Sequence, residues 1–357
     1  MASTPSKAID QATRHALHVE RLKSHDVNVL REMLQDIEDT LVARIARSKP
    51  ESWTRGEMER RLAAYREMIG QKYADNIIPE LNRQMSELAL NEARFEIKNL
   101  DSVVQNYQFS LPTENQIMTA IRANPLNLGG RFEGSLLGGL IDDFEANQIR
   151  VMSNTIRAGY AGGETTTQIL SRLQQEAFPI AERDLESVVR TSLQHAAGQS
   201  RQATYQANSD VIKGYRIVAT IDMSTSTECR ARDGQVLPLD STDLPPWHHR
   251  CRTTFTAVID DRFSFLEEGA TRAAREPETG KIERIPAKKT YYQWLKEQDR
   301  PFVESVIGPK RAKLLLDGNI SAQRFAEMQL GKRFEPLTLA KMRELDPLVF
   351  ERAEVNP

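Results

Sequence analysis

The sequence predicts a mainly α-helical protein with one small α+β domain, and three observations carry that expectation. Long stretches of the first half repeat apolar residues every three or four positions, the spacing of one helical face. Near residue 215 the period changes to two, as in a strand with one buried side. Between that run and a second strand-like run near residue 255 lies a turn-rich insert holding both cysteines of the chain, Cys229 and Cys251.

Composition bounds what such a chain does. Its 357 residues, 39% hydrophobic and 27% charged, are enough for two or three domains with real cores, which excludes disorder throughout. The formal net charge of -2 leaves no attraction of the whole protein to DNA or to an anionic membrane. Met1 to Asp10 lacks a charged segment followed by an apolar one, and no apolar run has the length of a membrane span. The expectation is a soluble chain that is not exported by the usual route. Two cysteines fit a reducing compartment better than a disulfide scaffold.

Taken in order, Leu30, Met33, Ile37, Leu41 and Ile45 mark a first long helix ending near Ser48. Met58, Leu62, Tyr65, Ile69, Tyr73, Ile77, Leu81, Met85 and Leu88 mark a second that runs toward Leu100. Pro79 inside it should disturb the helix, because proline lacks the backbone donor and crowds the preceding turn. Thr113 is placed to cap a short helix through Ala123, and Pro125 to Gly130 form a joint. Helical spacing returns from Phe132 to Arg157. Glu164 to Thr167 offer another cap, and a helix is expected from Ala181 to Ala207 with Leu185, Val189, Leu193 and Ala196 on one side. Tyr215, Ile217, Ala219 and Ile221 alternate with Arg216, Val218 and Thr220 as a strand, and Thr253 to Ile259 form a second. From Tyr291 helical signals resume to Leu316, then cover Ala322 to Leu330 and Leu337 to Leu345.

These readings divide the chain into an N-terminal helical region (1–124), a helical connector (125–180), an α+β domain (181–262), an exposed linker or arm (263–290) and a C-terminal helical segment (291–357). The linker is assigned because residues 272–289 are rich in charge and poor in apolar side chains. They carry a weak excess of basic residues.

The insert is where chemistry would sit. Cys229 precedes an Asp233-Gly234 turn, and Pro245-Pro246-Trp247-His248-His249-Arg250-Cys251-Arg252 closes the segment. His248 and Cys251, with two residues between them, have the spacing by which a tight turn presents two ligands to one tetrahedral ion. Cys229 would supply a third ligand, and His249, Asp222, His195 or water a fourth. A structural zinc ion stabilises such a segment by on the order of 10 kcal/mol. Two other readings stand beside it: a disulfide between Cys229 and Cys251, worth about 3 kcal/mol for a loop of this length, or two reduced, buried thiols. Trp247 is expected to pack beneath the insert.

The segment from Arg190 to Asp260 resembles the phage Mu F-like family of head morphogenesis proteins. The resemblance lies in the Arg190-Thr191 pair on a helix, the strand from Ile217 to Asp222, Cys229, Asp233-Gly234, and the Pro245 to Arg252 close, in that order. Weaker similarity continues from Tyr291 to Leu295 and through Gly308, Arg311, Leu314 and Gly318. Two positions depart from the family. Ser192 stands where many members carry an acidic residue after Arg-Thr, and Thr253 stands where many carry a second cysteine after the closing arginine.

That resemblance implies a compact Mu F-like domain and a minor capsid protein of a tailed bacteriophage, located in the virion head near the portal and in the host cytoplasm during assembly. The partners it implies are the phage portal protein, the major capsid or scaffold protein and packaged DNA, with no membrane. The long N-terminal helices could lay an apolar stripe into a partner's groove, or spend it on packing among themselves. No catalytic residues are assigned. A metal-dependent nuclease built on His248 and His249 lacks histidines downstream, since all six lie at or before position 249. A cysteine hydrolase lacks a glycine-rich turn beside either cysteine, and no phosphate-binding or dinucleotide loop is present. A DNA-binding module would use Arg230, Arg232, Arg250 and Arg252, but Glu228, Asp233, Asp240 and Asp243 are interleaved with them.

Overall fold

A computed structural model describes residues 6–104, 107–260, 271–276, 279–332 and 334–357. Its mainly α architecture with small sheets agrees with the expected fold class. Helix α1 (Ser6–Ser48) is followed by α2 (Arg55–Lys72), α3 (Ile78–Asp101), α4 (Glu114–Ala123), α5 (Leu137–Ala161), α6 (Thr166–Arg172) and α7 (Phe178–Gln206). Strand β1 (Ile212–Val218), helix α8 (Thr227–Arg232), β2 (Val236–Pro238) and β3 (Thr254–Ile259) come next. Beyond them lie β4 (Thr271–Arg275), β5 (Ile282–Pro286), α9 (Tyr291–Lys296), α10 (Arg300–Ile307), α11 (Pro309–Asp317), α12 (Ala322–Glu327), α13 (Leu339–Leu345) and α14 (Pro347–Arg352).

The helical periodicity is spent on internal packing. In α1 the buried face is Leu30, Leu34, Ile37, Leu41 and Ile45, so Leu34 takes the place expected for Met33, which is only half-buried. All nine apolar positions expected for the second helix are buried, yet that helix is not one regular element. Tyr73 to Ile77 form a π-helical turn just ahead of Pro79, closed by Ile78 N–H donating to the Tyr73 carbonyl. The wider turn frees the carbonyl that a proline ring would strike and the bond that a proline cannot donate. The same device recurs before Pro179, where Leu173 to Ala177 form a π-helical turn closed by Phe178 N–H. Thr54, Thr113 and Thr165 each close a capping box at the start of α2, α4 and α6.

Helix α7 is the spine of the molecule. It packs along α1, α3, α4 and α5. Every residue from Thr191 to Gln202 is buried, so its centre is enclosed on all sides and not on the single face the sequence suggests. Small residues, Ala196, Ala197, Gly198 and Ser200, permit that close approach. Its first half belongs to the core of the helical bundle, and Tyr205 near its end belongs to the core under the sheet.

Where the two meet, Arg201 is buried with Glu92 and Glu96 of α3. Its Nε donates to Glu96 at 2.9 Å, and it also bonds Glu92, Thr254 and, at 3.0 Å, the Phe255 carbonyl. Tyr205 donates to Glu96 at 2.7 Å, and His15 of α1 lies 2.7 Å from Glu92. One guanidinium faces two carboxyls. Burial opposes ionisation of both, but the charge of Arg201 holds Glu92 well below the usual range, while burial keeps Glu96 above it.

The main sheet has the order β2-β1-β3, all antiparallel, with Tyr215 opposite Ala257 on one side and Leu237 on the other. Tyr215, Ile217, Ala219 and Ile221 are buried and their neighbours are half-buried, as the alternation predicts. Helix α8 and strand β2, both inside the insert, are short elements that periodicity did not reveal.

The expected exposed linker is corrected where it is described. Strands β4 and β5 form an antiparallel hairpin, and Arg272, Ala274 and Ile285 are buried. Charge content misled because the charge of Arg272 is neutralised inside the fold by Asp233. Residues 263–270 of that stretch lie outside the described residues. A separate apolar core joins this hairpin, Ile221 and the C-terminal helices. Among the described residues no helix is long and apolar enough to cross a membrane.

Candidate functional site

Two local devices bring the sulfur and nitrogen ligands together. Ser226 caps α8 by accepting the Cys229 N–H at 3.2 Å, which turns the Cys229 side chain inward. On the other side, the His248 carbonyl accepts the Cys251 N–H at 3.2 Å, with Arg250 at φ 58° in the left-handed region. That tight turn places His248 and Cys251 on one side. Its position is pinned from α7: Thr191 accepts the Arg250 N–H at 3.1 Å, and Gln194 donates to the Thr253 carbonyl at 2.6 Å.

The three expected ligands meet. Cys229 Sγ lies 3.2 Å from His248 Nε2 and 3.7 Å from Cys251 Sγ, and the three ligand atoms all fall within 4.8 Å of one another. Both cysteines are free and buried. Thr253, two residues beyond Cys251, is buried beside the cluster, and its hydroxyl partly offsets the upward shift of the Cys229 thiol.

His248 Nδ1 sits 2.9 Å from the His249 carbonyl, which only accepts, so Nδ1 carries the hydrogen and Nε2 presents its lone pair to the sulfurs when the ring is neutral. Ser226 Oγ is a further 2.9 Å neighbour of that nitrogen. Burial pulls the His248 ring toward neutrality, but its hydrogen bond and charge contact with Cys251 outweigh this and raise it to about 9. Burial opposes ionisation of Cys251 too, and hydrogen bonds from Cys229 and His248 overcome it, so this thiol is held well below its ordinary value. Its hydrogen bond to Cys251, reinforced by burial, pushes Cys229 up. Nearby Glu228 is raised to about 7 by burial.

None of the protein groups considered for a fourth ligand joins the three. His195 is buried in the bundle with Nε2 3.0 Å from the Ile121 carbonyl. Asp222 holds Arg252 through both oxygens, at 2.6 and 2.8 Å. The ring of His249 stands edge-on to Phe132 with centroids 5.4 Å apart. Trp247 is buried, as expected, and donates to Asp243 at 3.1 Å, while the Arg232 guanidinium stacks 3.7 Å over its ring.

A second polar centre in the insert was not foreseen. Asp233 accepts the Ala219 N–H at 2.8 Å on one oxygen, and on the other Arg272 at 2.8 Å and the Tyr291 N–H at 2.7 Å. It ties the end of β1, the β4–β5 hairpin and the start of α9 together, with Gly234 at φ 80° completing the turn. The Asp-Gly pair signals the turn, but nothing near it in sequence signals Arg272.

Residues 150–256 match the family model described as phage Mu protein F like protein. The matched stretch runs from within α5 to within β3 and contains Cys229, His248 and Cys251. Searches of curated proteins and of solved structures find no match to the chain.

Proposed function

We propose that this chain, which carries a phage Mu F-like domain over residues 150–256, is a minor head protein of a tailed bacteriophage that acts in head morphogenesis as a structural component. The observation that carries the reading is the family match, and the order of the Arg190-Thr191 helix, β1, Cys229, the Asp233-Gly234 turn and the closing Cys251-Arg252 supports it. Association with the portal during prohead assembly, location in the head and contact with packaged DNA belong to the same reading. The apolar stripes of α1 to α3 are buried within the bundle, so docking to the portal would use other surfaces of those helices. Quantitative mass spectrometry of purified proheads and mature virions is the test. The chain is expected at low copy number in at least one of them, and absence from both would overturn the assignment.

Within that role, Cys229, His248 and Cys251 are proposed as a structural zinc site whose fourth position falls to water. The donor set supports this. Two thiolates about 2.3 Å from a tetrahedral ion lie about 3.8 Å apart, and the two sulfurs are 3.7 Å apart here. The metal would join α8 to the turn before β3 and so lock the insert onto the sheet. Elemental analysis of the purified, reduced chain should find close to one zinc per molecule; none, with no loss of stability on chelation, would refute it.

A further inference from the structure

We infer that a cavity of about 350 Å³ between α1, α7 and the sheet edges is a docking pocket for a short acidic and aliphatic segment of a partner protein. Its floor is apolar, with Leu17 of α1, Val218 at the end of β1, Ile221 just beyond it and Ala274 of β4, and the exposed Ile282 of β5 stands at the rim. Four arginines line it, Arg21, Arg190, Arg252 and Arg275, against two carboxylates, Glu20 and Asp222. The excess is positive, and both carboxylates are already engaged.

Two of the arginines are held in place before any ligand arrives. Asp222 grips Arg252 through both of its oxygens at 2.6 and 2.8 Å, which fixes the plane of the guanidinium and leaves its remaining N–H groups for another acceptor. Arg190 is held by Glu186 at 2.8 Å, Ser24 at 3.0 Å and Glu20 at 3.5 Å, so the uncommitted positive charge of the lining lies on Arg21 and Arg275. Pre-positioned forks lose little further side-chain freedom on binding. Arg190, Asp222 and Arg252 lie within the matched stretch, yet none belongs to the Cys229, His248 and Cys251 cluster. Their convergence on one concave surface assigns them a different task.

Charge complementarity and the floor together select the ligand. A bare phosphate would leave the apolar floor unused, and a purely aliphatic segment would leave the arginines unanswered. An aliphatic side chain seated on Leu17, Ile221 and Ala274, with a neighbouring carboxylate on Arg252 and Arg190, uses both. The volume lies at the lower end of the roughly 300–1,000 Å³ usual for ligand pockets, room for one or two side chains and not for a nucleic-acid duplex.

The identity of the partner as a head component rests on the proposed function; the pocket's chemistry does not. The test uses the full chain with anilinonaphthalenesulfonate as a fluorescent apolar anion, displaced by the peptide acetyl-Leu-Glu-Leu-Asp-amide or by its counterpart with lysine in place of both acids. Saturable dye binding is expected, with displacement by the acidic peptide at least tenfold stronger than by the basic one. Arg190→Gln should weaken the acidic peptide about tenfold, and Ala16→Trp, which fills the cavity from the half-exposed side of α1, should abolish binding while circular dichroism stays unchanged. Equal displacement by the two peptides, or undiminished binding in the Ala16→Trp protein, would overturn the pocket. Peptide binding by a chain that is absent from virions would remove the head-protein reading and leave the pocket standing.

Discussion

Two polar centres lie within the same insert and are built on opposite plans. At Asp233 the carboxylate is saturated: its two oxygens take three N–H donors, one from Arg272, and carboxylate and guanidinium are both buried, with only Arg272 Nε left without a partner. At Cys229, His248 and Cys251 the groups have mainly one another, with Ser226 at the edge, and the three ligand atoms lie within 4.8 Å of one another. The carboxylate of the first centre needs no further partner. The second is the cluster proposed above to take up an ion. Burial alone does not separate a structural knot from a candidate ligand site; whether each acceptor already has its donor does.

The largest expected effect attacks the closed centre. Arg272→Met leaves a buried carboxylate with no counter-charge and should destabilise the chain by about 3–5 kcal/mol in urea denaturation. Adding Asp233→Asn to it should restore more than half, because the Ala219 N–H keeps an acceptor while the stranded charge disappears. A loss under about 1 kcal/mol for the single variant would mean that water reaches the pair and that the centre is not closed. The open centre should respond to its ligand instead. At free zinc a hundredfold above Kd, stability should rise by about 2.7 kcal/mol over the chelated protein. In Cys251→Ser that zinc-dependent gain should vanish, whereas chelator-insensitive denaturation of the wild type would erase the contrast between the two centres.

How much of this was legible depended on whether a signal is local. The buried faces of α1 to α3 and the alternation of β1 follow from spacing along a single element, and the sequence showed them with little error. The meeting of Cys229 with His248 and Cys251 was legible because a two-residue spacing, an Asp-Gly turn and a Pro-Pro turn all lie within one insert. The Asp233–Arg272 pair was not, since its partners are 39 residues apart and arginine in a charged stretch reads as solvated. For the same reason the β4–β5 hairpin was taken for an arm. The π-helical turns before Pro79 and Pro179 show the intermediate case: proline announces a disturbance, but how the helix absorbs it depends on the carbonyls of the preceding turn.

A finer test moves the open centre toward closure. Thr253 is buried two residues beyond Cys251 and acts on the Cys229 thiol, so Thr253→Cys would add a thiolate to the three protein ligands of the proposed site. Zinc affinity should rise at least about tenfold, or about 1.4 kcal/mol, in competition with a chromophoric chelator. Unchanged affinity would place residue 253 outside the coordination sphere.

A pH-dependent test asks whether the same distinction holds in the helical bundle, where buried Glu38 of α1 has an oxygen without a partner. Burial, with Glu182 and Asp39 adding repulsion, raises its carboxyl to about 8 from 4.5. The folded chain therefore retains a proton that the unfolded chain releases above pH 4.5. Stability from this group is full below that pH and falls as pH rises toward 8. Glu38→Gln removes the titration, so it should be close to neutral at pH 4 and stabilising at pH 8. Thermal denaturation at the two pH values checks this. An equal shift at both would show that Glu38 is ionised in the fold and paired, which would move it from the open class to the closed one.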